Sequence, residues 1–320
     1  MSRLMLLLAA GASLLSAQPS TGGPSLGFVF DARGQALRPI LGIPGASLFG
    51  DPINISSSIS SATISDKQTL AIFNDGAWKA IALSGAAAAS VLPDGLPADA
   101  RVAVSENGAA AAFYDATGNA LSVVSGLPTT ATLNPIDLSA LPGNITAFAV
   151  ADDGSLLLSS AVAGGGESLF WMAAGGGLQQ LASLQGAASI RIWNQAANAL
   201  VVDRAANQVW QIQNPGNNPA ITLAASATDG VSGPSGAAFS SDGRLWIANA
   251  TSRTVLGINL TTRATVSVSC SFEPRSVNPA GDGQTFRLNR PDHGPLWLLD
   301  ATPGADPRVV FVPASAEAAQ

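Results

Sequence analysis

Residues 234–269 decide the fold, and they read PSGAAFSSDGRLWIANATSRTVLGINLTTRATVSVS. Four short apolar segments follow one another here, and a polar turn separates each segment from the next. Ser241-Asp-Gly243 supplies the first turn, because Asp caps nearby backbone N–H groups and Gly tolerates a positive φ. In the last segment Val266 and Val268 alternate with polar residues, which is the period of a strand with one wet face. The stretch therefore predicts four antiparallel strands, with the last one at an outer edge.

Weaker copies of this unit recur along the chain at intervals of about 40 to 46 residues, the length of a four-stranded repeat. The turn copies lie at residues 65–68, 105–108, 152–154, 194–198 and 281–283. The apolar strands that follow the turns lie at residues 70–73, 109–114, 156–160, 200–203, 245–248 and 285–288. Six full units result.

A further hairpin at residues 27–41 resembles the end of another unit. Two interpretations are open for it. It is a truncated seventh unit, or it fastens the C-terminal unit by pairing with residues 296–300 and 309–312.

A ring explains the repeats best, since one small twisted sheet cannot bury both of its faces and must stack on neighbours. Radial closure lets every unit stack, and it leaves only short edges exposed. We therefore predict an all-β fold, a β-propeller of six or seven four-stranded blades in one domain at residues 18–313. A β-sandwich is the alternative architecture, but it does not explain the regular interval between turns.

Residues 246–266, WIANATSRTVLGINLTTRATV, resemble a YVTN-type β-propeller repeat. The preceding residues 234–245 are similar to repeats of NHL propellers and of streptogramin-lyase or gluconolactonase-like propellers. The resemblance is good over this unit and fragmentary elsewhere, as at residues 200–210. It implies the propeller scaffold, and it does not extend to chemistry because such scaffolds host unrelated functions.

The N-terminus predicts export. Arg3 precedes an apolar stretch at residues 4–15, and the small residues Ser16 and Ala17 follow it, which is the pattern of a secretory signal at residues 1–17. A short membrane anchor is the alternative, but the stretch falls short of the roughly 20 residues that span a bilayer. We expect a secreted or periplasmic monomer without a membrane span, ending in a disordered tail at residues 314–320.

Composition narrows the partners and the chemistry. The formal net charge is −6 and no basic run occurs, so a nucleic-acid partner is excluded. The single cysteine, Cys270, forms no disulfide within the chain and reads as a small buried apolar residue. About one tryptophan falls in each unit, which favours packing between blades over an exposed aromatic face for sugars or peptides. The tryptophans are Trp78, Trp171, Trp193, Trp210, Trp246 and Trp297.

The one histidine, His293, lies in Pro291-Asp-His-Gly-Pro295, which predicts a loop between strands. A single histidine excludes a multi-histidine metal site and leaves one candidate general base. An exposed loop residue is the favoured interpretation. Streptogramin-lyase-like propellers use a histidine as catalytic base, so that resemblance implies this role for His293 if it extends to function.

Gluconolactonase-like propellers hold a divalent cation in the channel with carboxylate and amide oxygens. This chain departs from their pattern, because Ser235 replaces the asparagine of Pro-Asn-Gly and Asn249 replaces a frequent acidic residue. The glutamates are few: Glu106, Glu167, Glu273 and Glu317. The resemblance leaves open a calcium ion held by Asp31, Asp203 or Asp300. Turn caps are the favoured interpretation of these aspartates, so we expect no cofactor.

These observations predict a non-enzymatic propeller that serves as a binding or structural scaffold for a protein or a cell-envelope glycan. A propeller lactonase or lyase that uses the central channel, with or without a divalent cation, is the alternative.

Overall fold

The strands form seven antiparallel sheets, and each sheet is built from consecutive strands. The computed structural model describes residues 23–55, 57–85, 88–292 and 294–314. Six sheets have four strands and the first has three, so the chain is a seven-bladed β-propeller and the all-β prediction is confirmed. The predicted signal at residues 1–17, His293 and residues 315–320 of the predicted tail lie outside the described residues.

The strands are numbered in chain order, and blades 1 to 7 follow the same order. Blade 1 comprises β1 (Ser25–Asp31), β2 (Ala36–Ile43) and β3 (Ala46–Phe49). Blade 2 comprises β4 (Ser61–Ile64), β5 (Leu70–Asn74), β6 (Trp78–Ala82) and β7 (Ser90–Val91). Blade 3 comprises β8 (Arg101–Val104), β9 (Ala110–Asp115), β10 (Ala120–Ser125) and β11 (Thr132–Ile136). Blades 4 and 5 comprise β12 (Ile145–Val150), β13 (Leu156–Ala161), β14 (Glu167–Met172) and β15 (Leu178–Leu184); β16 (Ala187–Trp193), β17 (Asn198–Asp203), β18 (Gln208–Gln213) and β19 (Ala220–Ala225). Blades 6 and 7 comprise β20 (Pro234–Phe239), β21 (Arg244–Asn249), β22 (Thr254–Asn259) and β23 (Thr265–Ser269); β24 (Asn278–Pro279), β25 (Thr285–Arg287), β26 (Leu296–Asp300) and β27 (Arg308–Val312).

The strands of one blade differ in burial in the way the sequence predicts. The first strands of neighbouring blades contact one another around a central channel. The second strands are covered on both faces, as in β5, where all five residues are buried. In β23 half-buried residues alternate with exposed ones, so the predicted outer strand with one wet face is confirmed.

The hydrophobic core is divided among the seven junctions between neighbouring blades. Seven apolar clusters of described residues occur, and each joins two adjacent blades. All six tryptophans pack in or against these clusters, which confirms their predicted role in packing between blades. Cys270 is buried in the cluster between blades 6 and 7, also as predicted. This arrangement excludes the β-sandwich alternative.

Ring closure depends on packing of the two terminal blades. The predicted N-terminal hairpin is a blade of its own with a third strand, so the truncated seventh unit is the correct alternative. It does not pair with β26 or β27, which stay within blade 7. Leu26 and Ile40 of blade 1 instead pack against Leu298 and Val312 of blade 7.

The turns between first and second strands gather at one end of the channel, called here the turn end. In blade 6, Gly243 takes a φ of +79° and its N–H donates to the carbonyl of Ser240 at 2.9 Å. The N–H of Ser241 donates to the carbonyl of Gly283 in the next blade at 2.8 Å. The N–H of Lys67 likewise donates to the carbonyl of Glu106 at 3.0 Å, so these turns join neighbouring blades.

The opposite end of the channel, the loop end, carries the connections between blades and the loops between second and third strands. The helix of the described chain is the single 3-10 turn Ala227–Asp229. Within the described ranges, no helix has the length and apolar character needed to cross a membrane.

Candidate functional site

The central channel contains a cavity of about 270 Å³ whose wall comes from six blades. Small and apolar residues such as Val29, Ala62 and Ala149 make up most of the strand surface. Charged and amide side chains lie among them: Asp66, Arg191, Asn278, Arg287, Asn289 and Arg290. The channel wall therefore combines small apolar residues of the strands with a concentrated cluster of charged and amide side chains.

An ion pair crosses the channel between Arg191 of β16 and Asp66 in the first turn of blade 2. The Nη2 group of Arg191 also donates to the carbonyl of Val277 at 2.9 Å and to Oδ1 of Asn278 at 3.0 Å. One guanidinium thus connects blades 2, 5 and 7 by charge-assisted hydrogen bonds. A second cavity of about 280 Å³ at the turn end is also lined by Asp66 and Arg191, so this ion pair separates the two cavities.

Arg287 is the second cation of the channel cavity, and no carboxylate of the described chain pairs with it. Its Nη1 group donates to the carbonyl of Phe28 at 2.9 Å, which also ties blade 7 to blade 1. Burial lowers the pKa of Arg287 to about 10; the charge of Asp66 opposes this shift, and the charges of Arg191 and Arg290 add to it. Arg287 stays protonated at neutral pH, and burial makes its charge costly.

The turn end is bridged by a second set of contacts. Oε2 of Glu106 accepts a hydrogen bond from the N–H of Asn194 at 2.7 Å, which joins blade 3 to blade 5. Nζ of Lys67 lies 3.4 Å from Oε1 of the same glutamate. Glu106 lies in a turn, as predicted, but the turn places its carboxylate across the channel end. This end is therefore narrowed by protein contacts.

The loop end opens into a mouth cavity of about 660 Å³. It shares Asn278, Asn289 and Arg290 with the channel cavity, so these three residues lie between the two cavities. The ring of Phe272 stacks on Trp297 in its wall, with centroids 4.7 Å apart. The remaining side chains with charge are Glu273, Arg275 and Asp292.

A further cavity of about 840 Å³ covers the loop end of blades 5 and 6 and shares Arg275 with the mouth cavity. Glu167, Arg204 and Asn207 line it. Glu167 accepts hydrogen bonds from Oγ1 of Thr146 at 2.8 Å and from the N–H of Ala187 at 3.0 Å, so its carboxylate holds two inner strands. These two joined cavities are called the loop-end groove below.

The loop that carries His293 lies at the channel mouth. Asp292 and Gly294, the neighbours of His293 in sequence, line the mouth cavity, and Pro291 lines the channel cavity. His293 itself lies outside the described residues. The catalytic role implied by the streptogramin-lyase resemblance stays a prediction.

The three aspartates considered as calcium ligands cap turns in three separate blades. Asp31 accepts from the N–H groups of residues 33 and 34 at 3.2 Å and pairs with Arg38 at 2.9 Å. Asp203 accepts from the N–H groups of residues 185, 186 and 206 at 2.8, 3.0 and 3.1 Å. Asp300 pairs with Arg308 at 3.1 Å. None of them lines the channel cavity, and across the described ranges no three His, Cys, Asp or Glu side chains come together as metal ligands.

The two positions that depart from the gluconolactonase-like pattern also have structural roles. Oγ of Ser235 donates to the carbonyl of Pro274 at 2.8 Å. The amide of Asn249 accepts from the N–H of Ser232 at 3.0 Å and donates to the carbonyl of Gly230 at 2.9 Å. Both residues hold the loops that enter first strands, so the departures replace possible ligand oxygens with loop contacts.

This geometry defines the class of protein as a seven-bladed β-propeller with a cluster of charged and amide side chains in its channel. Among solved structures of the same fold is a catalytically inactive variant of virginiamycin B lyase from Staphylococcus aureus with quinupristin, with a TM-score of 0.56, 14% identity, and coverage of 80% of this chain and 84% of that one. A streptogramin B lyase structure gives a TM-score of 0.57 at 13% identity, covering 81% of this chain and 85% of that one. A functionally unknown protein from Desulfotomaculum acetoxidans gives 0.56 at 12% identity, with 89% and 99% covered.

These likenesses confirm the propeller resemblance that the repeat at residues 234–266 indicated, and at such identities they concern the fold alone. No protein-family model and no curated protein matches the sequence.

Proposed function

We propose that this chain is an exported, non-enzymatic propeller that binds a cell-envelope glycan in its loop-end groove. The observation that carries the proposal is the groove itself, in which two cavities of about 660 and 840 Å³ join at Arg275. A concave surface of this size with a few polar side chains is typical of a ligand site. Export rests on the N-terminal pattern at residues 1–17.

The character of the groove favours a glycan over a protein partner. Its wall combines guanidinium, carboxylate and amide groups with the stacked rings of Phe272 and Trp297. The large apolar side chains that are exposed in the described chain do not line the groove; they are Ile43, Leu48, Val91, Leu223 and Phe311. A groove with charged and amide side chains and no large exposed apolar residue suits a hydroxyl-rich chain, whereas protein interfaces usually have an apolar centre.

The use of the carboxylates supports binding rather than catalysis. A general base must lie within hydrogen-bond reach of a reacting group, and a cation site needs several oxygens directed at one point. Glu106 bridges blades at the turn end, Glu167 holds two inner strands, and Asp203 caps a turn. The carboxylates of these three residues therefore serve in hydrogen bonds that hold the fold together.

Binding is tested by cosedimentation of the secreted protein with purified peptidoglycan and by a glycan array. Arg275→Ala removes the guanidinium that both groove cavities share, and Arg33→Ala removes an exposed guanidinium of blade 1 as the matched control. Loss of a charged hydrogen bond predicts binding weaker by about tenfold or more for Arg275→Ala. The control should bind like wild type. Absence of glycan binding, or capture of an envelope protein in its place, would refute the glycan proposal.

A lyase is the second candidate, since the neighbours of His293 line the mouth and streptogramin B lyase shares the fold. The purified protein is incubated with quinupristin, and linear product is measured by mass spectrometry for wild type and His293→Ala. We expect no turnover by either protein and equal glycan binding by both. Turnover by wild type that His293→Ala abolishes would replace the binding proposal with the lyase.

A further inference from the structure

The channel cavity concentrates positive charge in a protein whose formal net charge is −6. Three guanidinium groups line it, those of Arg191, Arg287 and Arg290, against the single carboxylate of Asp66. Asp66 is paired with Arg191, so two cations face the cavity without a counter-charge from the described part of its wall. Arg287 is half-buried and Arg290 is exposed at the mouth, and like charges held close together repel each other unless an anion joins them.

Hydrogen-bond donors in this cavity also outnumber acceptors. The Nε atoms of Arg191 and Arg287 are buried and have no protein acceptor. Burial is the main cause of the lowered pKa of Arg287; the charge of Asp66 opposes this shift, and the charges of Arg191 and Arg290 add to it. Guanidinium groups bind carboxylate and phosphate oxygens with matched geometry.

We infer that the channel cavity binds a small anion carrying a carboxylate or phosphate group, held by Arg287 and Arg290 and admitted through the mouth at the loop end. The turn end does not provide the entrance, since the Arg191–Asp66 pair and Glu106 cross it. A volume of about 270 Å³ holds roughly nine waters, at about 30 Å³ each, and so admits a compact organic anion. This site adjoins the proposed glycan groove, whose mouth cavity shares Arg290 with it, and differs from the groove in Arg287, which lines only the channel cavity.

Isothermal titration calorimetry and thermal unfolding test the site with three probes: inorganic phosphate, citrate and glucuronate, at constant ionic strength set with chloride. Arg287→Met keeps an unbranched apolar stem and removes the guanidinium charge. Arg290→Gln changes an exposed residue at the mouth, and Arg33→Gln is the control far from the channel. At least one probe should raise the unfolding midpoint of wild type.

Arg287→Met should lower the affinity for that probe by about tenfold or more, as expected for a lost charged hydrogen bond. Arg290→Gln should lower the same affinity measurably. Arg33→Gln should leave affinity unchanged. If Arg287→Met does not fold, Arg290→Gln decides alone. The inference is overturned if no probe binds, if the channel variants bind as tightly as wild type, or if the control loses as much affinity. Glycan binding and its loss in Arg275→Ala are measured separately, so either proposal can fail alone.

Discussion

The Arg191–Asp66 pair should contribute measurably to the stability of the whole ring, because it joins blades far apart in sequence. Asp66→Asn keeps the shape of the side chain and removes its charge. Arg191 would then have only neutral acceptors, which are the carbonyl of Val277 at 2.9 Å, Oδ1 of Asn278 at 3.0 Å and the amide oxygen of the substituted side chain. The channel would hold three guanidiniums and no carboxylate.

The size of the effect follows from the burial of the pair. The side chains of Arg191 and Asp66 are 17% and 28% exposed, so the pair is neither a surface pair nor a fully buried one. Exposed pairs contribute about 0–1 kcal/mol, and breaking a fully buried pair costs about 3–5 kcal/mol. We therefore expect Asp66→Asn to lower the free energy of unfolding by about 2 kcal/mol. The same change should tighten binding of the proposed channel anion, since it removes a repelling carboxylate.

Urea unfolding followed by tryptophan fluorescence measures this loss, and a double-mutant cycle with Arg191→Met isolates the pair. The coupling free energy should be about 1–2 kcal/mol. Lys67→Ala is the matched control, because Lys67 is 60% exposed and lies 3.4 Å from Glu106, so its loss should cost at most about 1 kcal/mol. A loss below about 0.5 kcal/mol for Asp66→Asn, or no coupling in the cycle, would refute the reasoning.

Three further outcomes test the packing and the electrostatics. Gly257→Ala would place a Cβ 2.6 Å from the ring of Trp246, so we expect a loss of about 1–3 kcal/mol in urea unfolding, and a neutral result would contradict this packing. Burial tends to raise the pKa of Asp75, but hydrogen bonds that include one from Lys79 hold this pKa below its ordinary value. Asp75→Asn should therefore lower the free energy of unfolding by about 1–3 kcal/mol at pH 7. This loss should vanish as the pH falls through the pKa of Asp75 in the folded state. Burial raises the pKa of Cys270 to about 11, so native protein should resist alkylation at pH 8 that is fast in urea, and rapid native labelling would show an exposed thiol.

The fold was predictable because each blade carries its own local signal. At residues 234–269 the four predicted strands are β20 to β23, and β23 keeps the predicted alternation of Val266 and Val268 with more exposed residues. Strand β3 was not predicted. It has only four residues after a tight turn, and it exposes Leu48 (58%) while Ser47 is buried, so its sequence does not show an apolar face. The number of blades was not predictable, because ring closure depends on packing between residues such as Leu26 and Val312 at opposite ends of the chain.

The candidate site was harder to predict than the fold. His293 and the aspartates were candidate site residues because of their residue type. Arg191 and Arg287 belong to no recognisable motif, so the sequence did not identify them as site residues. Their chemistry arises only when the ring closes, since Arg191 and Asp66 are 125 residues apart. Asp66 lies in the most degenerate of the turn copies, where a turn cap is the obvious interpretation.

Alignment of the repeats nevertheless contains the missing signal. The pairing between first and second strands defines equivalent places in the first strands of blades 2 to 7, and one of them holds Thr63, Ala103, Ala149, Arg191, Ala238 and Asn278. Three of these positions hold alanine, as expected where inner strands converge on a narrow channel. Of the three polar residues, Arg191 and Asn278 hydrogen-bond to each other at 3.0 Å. Arg191 finds its side-chain partners in two other blades, so a large polar side chain at this position of the repeat indicates channel chemistry.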